Sequence, residues 1–68
     1  MFARAVDMEP DMAFHHRGDL RTILRFVGVE PVVSRFPGKR RVRVFVKSGP
    51  PFIAEYDDTF PIVVWGGS

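Results

Sequence analysis

The sequence predicts a mainly β domain of the α+β class: a short N-terminal helix on a four-stranded antiparallel meander that curls into a small, partly open barrel. Three observations lead there. After Gly28 the chain falls into short runs rich in Val, Ile and aromatic residues. "PGK", "SGPP" and "DDT", all turn compositions, separate those runs. Before Gly28, one stretch carries apolar residues at helical spacing behind an Asp that suits a helix cap.

Sixty-eight residues make one domain, residues 1–68. A chain this short buries only about 60% of the surface its unfolded form exposes. Its core then rarely supplies more than roughly 3–5 kcal/mol of net stability. With no Cys, disulfides add nothing. Packing must carry the fold, and a composition 46% hydrophobic and 13% aromatic suits that. Asn and Gln are absent, which removes the side chains that read adenine edges bidentately. The usage resembles that of a GC-rich genome, and a phage origin fits the size. The first seventeen residues lack a secretory pattern, and Phe60–Trp65 is far too short an apolar run to span a bilayer. The expected compartment is the cytoplasm of a bacterial or phage-infected cell.

Residues 1–18 read as an arm or a short helix, with Pro10 at a first helical position and Gly18 as its stop. Residues 19–27 read as a helix: Asp19 caps it, Leu20, Ile23, Leu24 and Val27 form one face, and Gly28 ends it. The rival is a strand alternating Leu20, Thr22, Leu24 and Phe26 against Arg21, Ile23 and Arg25. The meander occupies 29–65, with strands at Val29–Phe36, Arg41–Lys47, Phe52–Tyr56 and Phe60–Trp65. Pro37-Gly38 favours a connection of three or more residues with Gly38 at positive φ. Pro61 cannot donate to a ladder, so the last strand belongs at a sheet edge.

Charge is laid out unevenly. Residues 35–47 hold six cations, and no acid occurs between Pro31 and Ala54, although the formal net charge is only +2. Arg41, Arg43, Phe45 and Lys47 share one face of their strand, and Val42, Val44 and Val46 the other. Pairing Arg43 with Asp57 and Phe45 with Glu55 sets acids beside the basic row and keeps them off the valine face. Arg35, Lys39, Arg40 and Arg41 at the hairpin tip have no acid assigned to them. Such a tip can be merely solvated, can dock into an acidic protein groove, or can track phosphates.

Other motifs carry less. His15-His16 invites a metal reading, because a helix would align Asp11, His15 and Asp19, but a structural zinc site needs more Cys or His than the chain offers. Arg17-Gly18-Asp19 matches an integrin-binding tripeptide by chance. Neither a nucleophile elbow nor a Ser-His-Asp constellation can be assembled. The "FPIVVW" strand leaves one apolar face without obvious cover, as edges used for strand addition or self-pairing do. Gly66-Gly67-Ser68 is assigned no role.

The sequence thus predicts a protein that binds without chemistry, needing no cofactor, metal, small-molecule substrate or membrane. Its expected partner is another protein or a second copy, as a homo-oligomer, an accessory subunit or a small inhibitor. The expected surfaces are the basic hairpin (Arg35, Phe36, Lys39, Arg40, Arg41, Arg43, Phe45, Lys47) and the apolar edge (Phe60, Ile62, Val64, Trp65). The alternative is low-specificity nucleic-acid binding through the same hairpin, with Phe36 and Phe45 as stacking rings.

Overall fold

A polar–apolar alternation of period two, not a helical repeat, governs residues 19–27. The computed structural model describes residues 1–16, 19–33, 38 and 40–63, with Leu20 by its backbone alone. In it Thr22 and Leu24 are half-buried and Phe26 is buried, while Arg21, Ile23, Arg25 and Val27 are exposed. The expected helix is therefore corrected to the first part of a long strand, Asp19–Val32. Nine residues are too few to hold a helix without tertiary help, whereas here strands on both sides take up the backbone groups. Asp19 still makes cap-like bonds: its carboxylate accepts from the Arg21 N–H at 3.0 Å and the Thr22 hydroxyl at 2.6 Å. The same chemistry closes an Asx turn in front of a strand.

Among the described residues six strands result: β1 (Phe2–Arg4), β2 (Ala13–His16), β3 (Asp19–Val32), β4 (Arg41–Val46), β5 (Phe52–Glu55) and β6 (Thr59–Pro61). The expected N-terminal helix is absent from the described residues; only a 3-10 turn, Ala5–Asp7, interrupts the extended chain. Asp11 takes a left-handed φ of 75° at the turn into β2, a conformation Asp tolerates better than most residues.

The main sheet is antiparallel with four strands in the order β2-β3-β4-β5. β3 serves twice, pairing with β2 through its first half and with β4 through its second, with an irregularity between Phe26 and Gly28. A two-stranded pair, β1-β6, continues the wall. It joins β2 through a Phe14–Ile62 bridge and a Val63 N–H to Ala13 carbonyl bond of 2.9 Å. The strands thus curve from β1 through β6, β2, β3 and β4 to β5 as a half-barrel.

Three expectations about the meander change. The strand after "DDT" pairs with β1 instead of β5, and β2 supplies the fourth strand of the main sheet. The reason lies in the corner at Glu55–Asp58, where Asp58 accepts from the Glu55 N–H at 3.1 Å and donates its own N–H to the Glu55 carbonyl at 3.1 Å. Those bonds occupy the groups a neighbouring strand would need. The β4–β5 register also differs: Arg41 faces Glu55, Val42 Ala54, Arg43 Ile53 and Val44 Phe52. The parity expected from the valines holds, but the strands slide by four residues, an even step that keeps the same residues facing inward. Last, β3 ends at Val32 and β4 begins at Arg41; the expected strand residues Ser34–Phe36 lie outside the described residues, and Gly38 has the expected positive φ, 85°.

The core fills the concave side. Phe14, Phe60 and Val44 are fully buried, joined by Ala5, Met8, Ala13, Phe26, Val42 and Ala54. Phe14 and Phe60 meet edge to face at 5.5 Å between centroids, and Phe52 closes on both at 6.4 and 5.9 Å. Such geometry adds about 0.5–1.5 kcal/mol per ring pair beyond area burial.

Candidate functional site

The basic strand folds against acids from three different segments. Arg41 Nε lies 3.4 Å from Glu55, Arg43 Nη1 lies 2.9 Å from Glu30, and Lys47 Nζ lies 2.8 Å from Asp11. The expected partners, Asp57 for Arg43 and none for Arg41, are thus replaced: Asp57 stands 3.7 Å from Arg4. The Lys47 ammonium, by hydrogen bond and then by charge, holds the Asp11 carboxyl below its usual range. Asp19 is lowered by the Thr22 hydroxyl and then the Arg21 N–H. Arg4 is raised by its bond and charge contact with Asp7.

Phe45, expected on the cationic face, is half-buried opposite Gly28, where the β3 irregularity reorients the strand. At the hairpin end Arg40 sits with its guanidinium carbon 4.3 Å from the Tyr56 ring centroid, and Arg4 lies 5.6 Å from the same ring. Gly38, Arg40, Glu55, Tyr56 and Asp57 border an open cleft of about 290 Å³. Arg35, Phe36 and Lys39 lie outside the described residues, as do Arg17 and Gly18 of the tripeptide.

The apolar edge is rearranged. Phe60 is 1% exposed, a core residue instead of an edge contact. Ile62 is half-buried against the core. Val64 and Trp65 lie outside the described residues. Exposed apolar side chains stand elsewhere: Met1, Phe2 on β1 (67% exposed), Ile23 and Val27 on β3, Val33, and Ile53 on β5 (50% exposed). β1 and β5 each have a strand neighbour on one side only. Among the described residues the half-barrel therefore has two unpaired margins, β1 and β5. Sequence reasoning missed both, although the Pro50-Pro51 pair and the "DDT" corner were the residues that isolate β5.

Beside β5 runs a groove. One cleft of about 280 Å³ is lined by His16, Phe52, Ile53, Ala54, Asp58 and Phe60. A second of about 220 Å³, bordered by Leu24, Val46 and Pro51, shares His16 and Phe52 with the first. The His16 and Phe52 rings meet edge to face at 4.8 Å. The neighbouring His15 turns Nδ1 into the interior, where it meets no hydrogen-bond partner among the described residues.

Asp11, His15 and Asp19 are not aligned as a helix would align them, and the described residues contain no group of three metal-ligating side chains. No helix among them is long and apolar enough to cross a membrane. Comparison with known proteins yields no match to a family model, a curated protein or a solved structure.

Proposed function

We propose that the protein is a non-catalytic binding module that works by protein–protein contact, through the open margins of the half-barrel and the hairpin end beside them. The observation that carries this reading is that, among the described residues, β1 and β5 each have a strand neighbour on one side only, with Phe2 and Ile53 exposed on them. Uncovered strand margins are a standing template for another chain. Phe60 takes no part, and the apolar contact passes to Phe2 and Ile53. Arg40, stacked on Tyr56, supplies an arginine of the kind that anchors interfaces.

Nucleic-acid binding through the hairpin is the weaker reading, since Arg41, Arg43 and Lys47 each stand beside a carboxylate that would repel phosphate. Sedimentation of the pure protein, with affinity capture from native host lysate, tests the module. Self-association or a stoichiometric partner is expected, weakened in Phe2→Asp or Ile53→Asp. A strict monomer without a partner defeats the reading. Tight single-stranded DNA binding at about 50 mM salt, falling steeply as salt rises, would favour the alternative instead.

A further inference from the structure

We infer that the β1 margin pairs with the β1 of a second copy of this chain, antiparallel about a twofold axis at Ala3, so that the walls of two half-barrels run into one another. The inference rests on the protein-contact reading and adds which margin is used and that its occupant is the chain itself.

Backbone direction comes first. The Ile62 N–H donates to the Met1 carbonyl at 2.9 Å, which makes Met1 and Ile62 a hydrogen-bonded pair. In an antiparallel ladder such pairs alternate with non-bonded ones. Ala3–Phe60 is therefore bonded, while Phe2–Pro61 and Arg4–Thr59 are not, an arrangement in which Pro61 needs no N–H. The N–H and C=O of Phe2 and Arg4 consequently point away from β6, toward the side where no described strand lies. The same parity on β5, set by the bond from the Tyr56 N–H to the Arg40 carbonyl, turns Ile53 and Glu55 outward. There, however, Asp58 occupies both groups of Glu55. β1 thus presents donors and acceptors at two residues, where β5 does so at one.

Symmetry then selects the occupant. With Ala3 set opposite the Ala3 of a second copy, Phe2 faces Arg4 and Arg4 faces Phe2 as bonded pairs. Every outward N–H and C=O of both strands is then used, and the contact is self-complementary, as a twofold interface must be. Side chains agree with this register. Ala3 turns toward the core, and Phe2 and Arg4 share the opposite face. The two Phe2 rings become diagonal neighbours within reach of each other, and each lies beside the aliphatic stem of the other copy's Arg4. Two rings that stand in water on the single chain thereby cover one another. Charge does not oppose the contact. Arg4 is met within its own copy by Asp7 at 2.9 Å and Asp57 at 3.7 Å, so like charges do not approach unmatched across the axis.

Sedimentation equilibrium of the pure protein should show a reversible monomer–dimer exchange. Strands of three residues make a small interface beside the roughly 20–30 residues a side of a standard one, so a dissociation constant on the order of 0.1 mM is expected. In a mixture of isotope-labelled and unlabelled protein, an intermolecular NOE between the two Ala3 Hα protons is expected, because a non-bonded antiparallel pair brings those atoms together. Arg4 has a φ of −74°, which Pro accepts, so Arg4→Pro deletes the outward N–H, while Arg4→Ala removes the same side chain and keeps it. Arg4→Pro should dimerise at least about tenfold more weakly than Arg4→Ala. Phe2→Asp should weaken the dimer as well, and Ile53→Asp should leave it intact. A dimer without the Ala3 contact, equal association of Arg4→Pro and Arg4→Ala, or dimerisation lost in Ile53→Asp would each overturn the inference. A protein that stays monomeric at about 1 mM yet captures a stoichiometric partner from lysate would sink it while leaving the protein-contact reading standing.

Discussion

The guanidinium of Arg40 lies 4.3 Å from the Tyr56 ring centroid while the Arg40 carbonyl accepts the Tyr56 N–H at 2.9 Å, so one residue pair is fastened through both backbone and side chain. It extends the β4–β5 ladder one step beyond Arg41–Glu55 and holds the hairpin end beside the corner at Asp58. Tyr56 is half-buried against the core while Arg40 is exposed, and a cation over such a ring contributes about 0.5–1 kcal/mol. A double-mutant cycle of Tyr56→Leu and Arg40→Met, measured by urea unfolding, should return a coupling of about that size. Additive effects would mean that the stacked geometry contributes nothing.

Phe60 separates a core role from an interface role. Its ring is buried against Phe14 and Phe52, so Phe60→Ala opens a cavity costing about 3–5 kcal/mol. That is comparable to the whole net stability expected of so small a core, about 3–5 kcal/mol. The variant should lose its dispersed amide spectrum at 25 °C, whereas Phe60→Leu should keep it at a cost below about 1.5 kcal/mol. A well-folded Phe60→Ala protein would return the residue to the surface.

Asp11 gives the fold an acid sensitivity with a definite sign. Because Lys47 lowers its folded pKa below 3.8, the contribution is fully present above that value and fades as pH falls through the folded pKa. Both side chains are largely exposed, so the effect is small and screened by salt. Asp11→Asn tolerates the left-handed backbone and removes only the charge. Its stability should change less than the wild type's between about pH 5 and pH 2, and the difference should shrink at about 1 M salt. Parallel pH profiles would exclude the Lys47 contact as a source of stability.

His15 points the other way. Burying an unpaired ring nitrogen costs about 1–3 kcal/mol, and an apolar replacement of similar shape removes that cost. His15→Leu should therefore raise the unfolding midpoint, by the equivalent of about 1 kcal/mol. A lower midpoint would show that Nδ1 is satisfied in solution.

What could be read in the sequence was parity. Val42, Val44 and Ala54 face inward as alternation requires, and the acids fall beside the basic strand because the opposite parity would bury them. Register was not legible: sliding β5 along β4 by an even number of residues keeps parity intact, so the hydrophobic pattern does not record it. The helix error at 19–27 has a similar root, since Asp19 makes the same bonds whether a helix or a strand follows. The β1–β6 pairing joins the two ends of the described chain, Phe2 with Pro61, and nothing local announces so distant a pairing. The candidate site moved for the same reasons. Pairing β6 with β1 drew Phe60 into the core and left β5 as the open margin.

That margin is guarded by a single side chain. Asp58 accepts the Glu55 N–H at 3.1 Å, and Pro51 has no N–H to offer, so β5 shows one outward donor where an unguarded strand of its length would show more. Asp58→Ala releases the Glu55 N–H and removes a charge from the rim at once. Two adjacent outward residues, Ile53 and Glu55, then suffice to begin pairing with the β5 of another copy. Light scattering should find Asp58→Ala associating at concentrations where wild type stays in its starting state. Asp58→Asn, which keeps an acceptor on Glu55, should fall between them. If Asp58→Ala stays as dispersed as the wild type, the corner does not guard β5, and some other feature must limit its pairing.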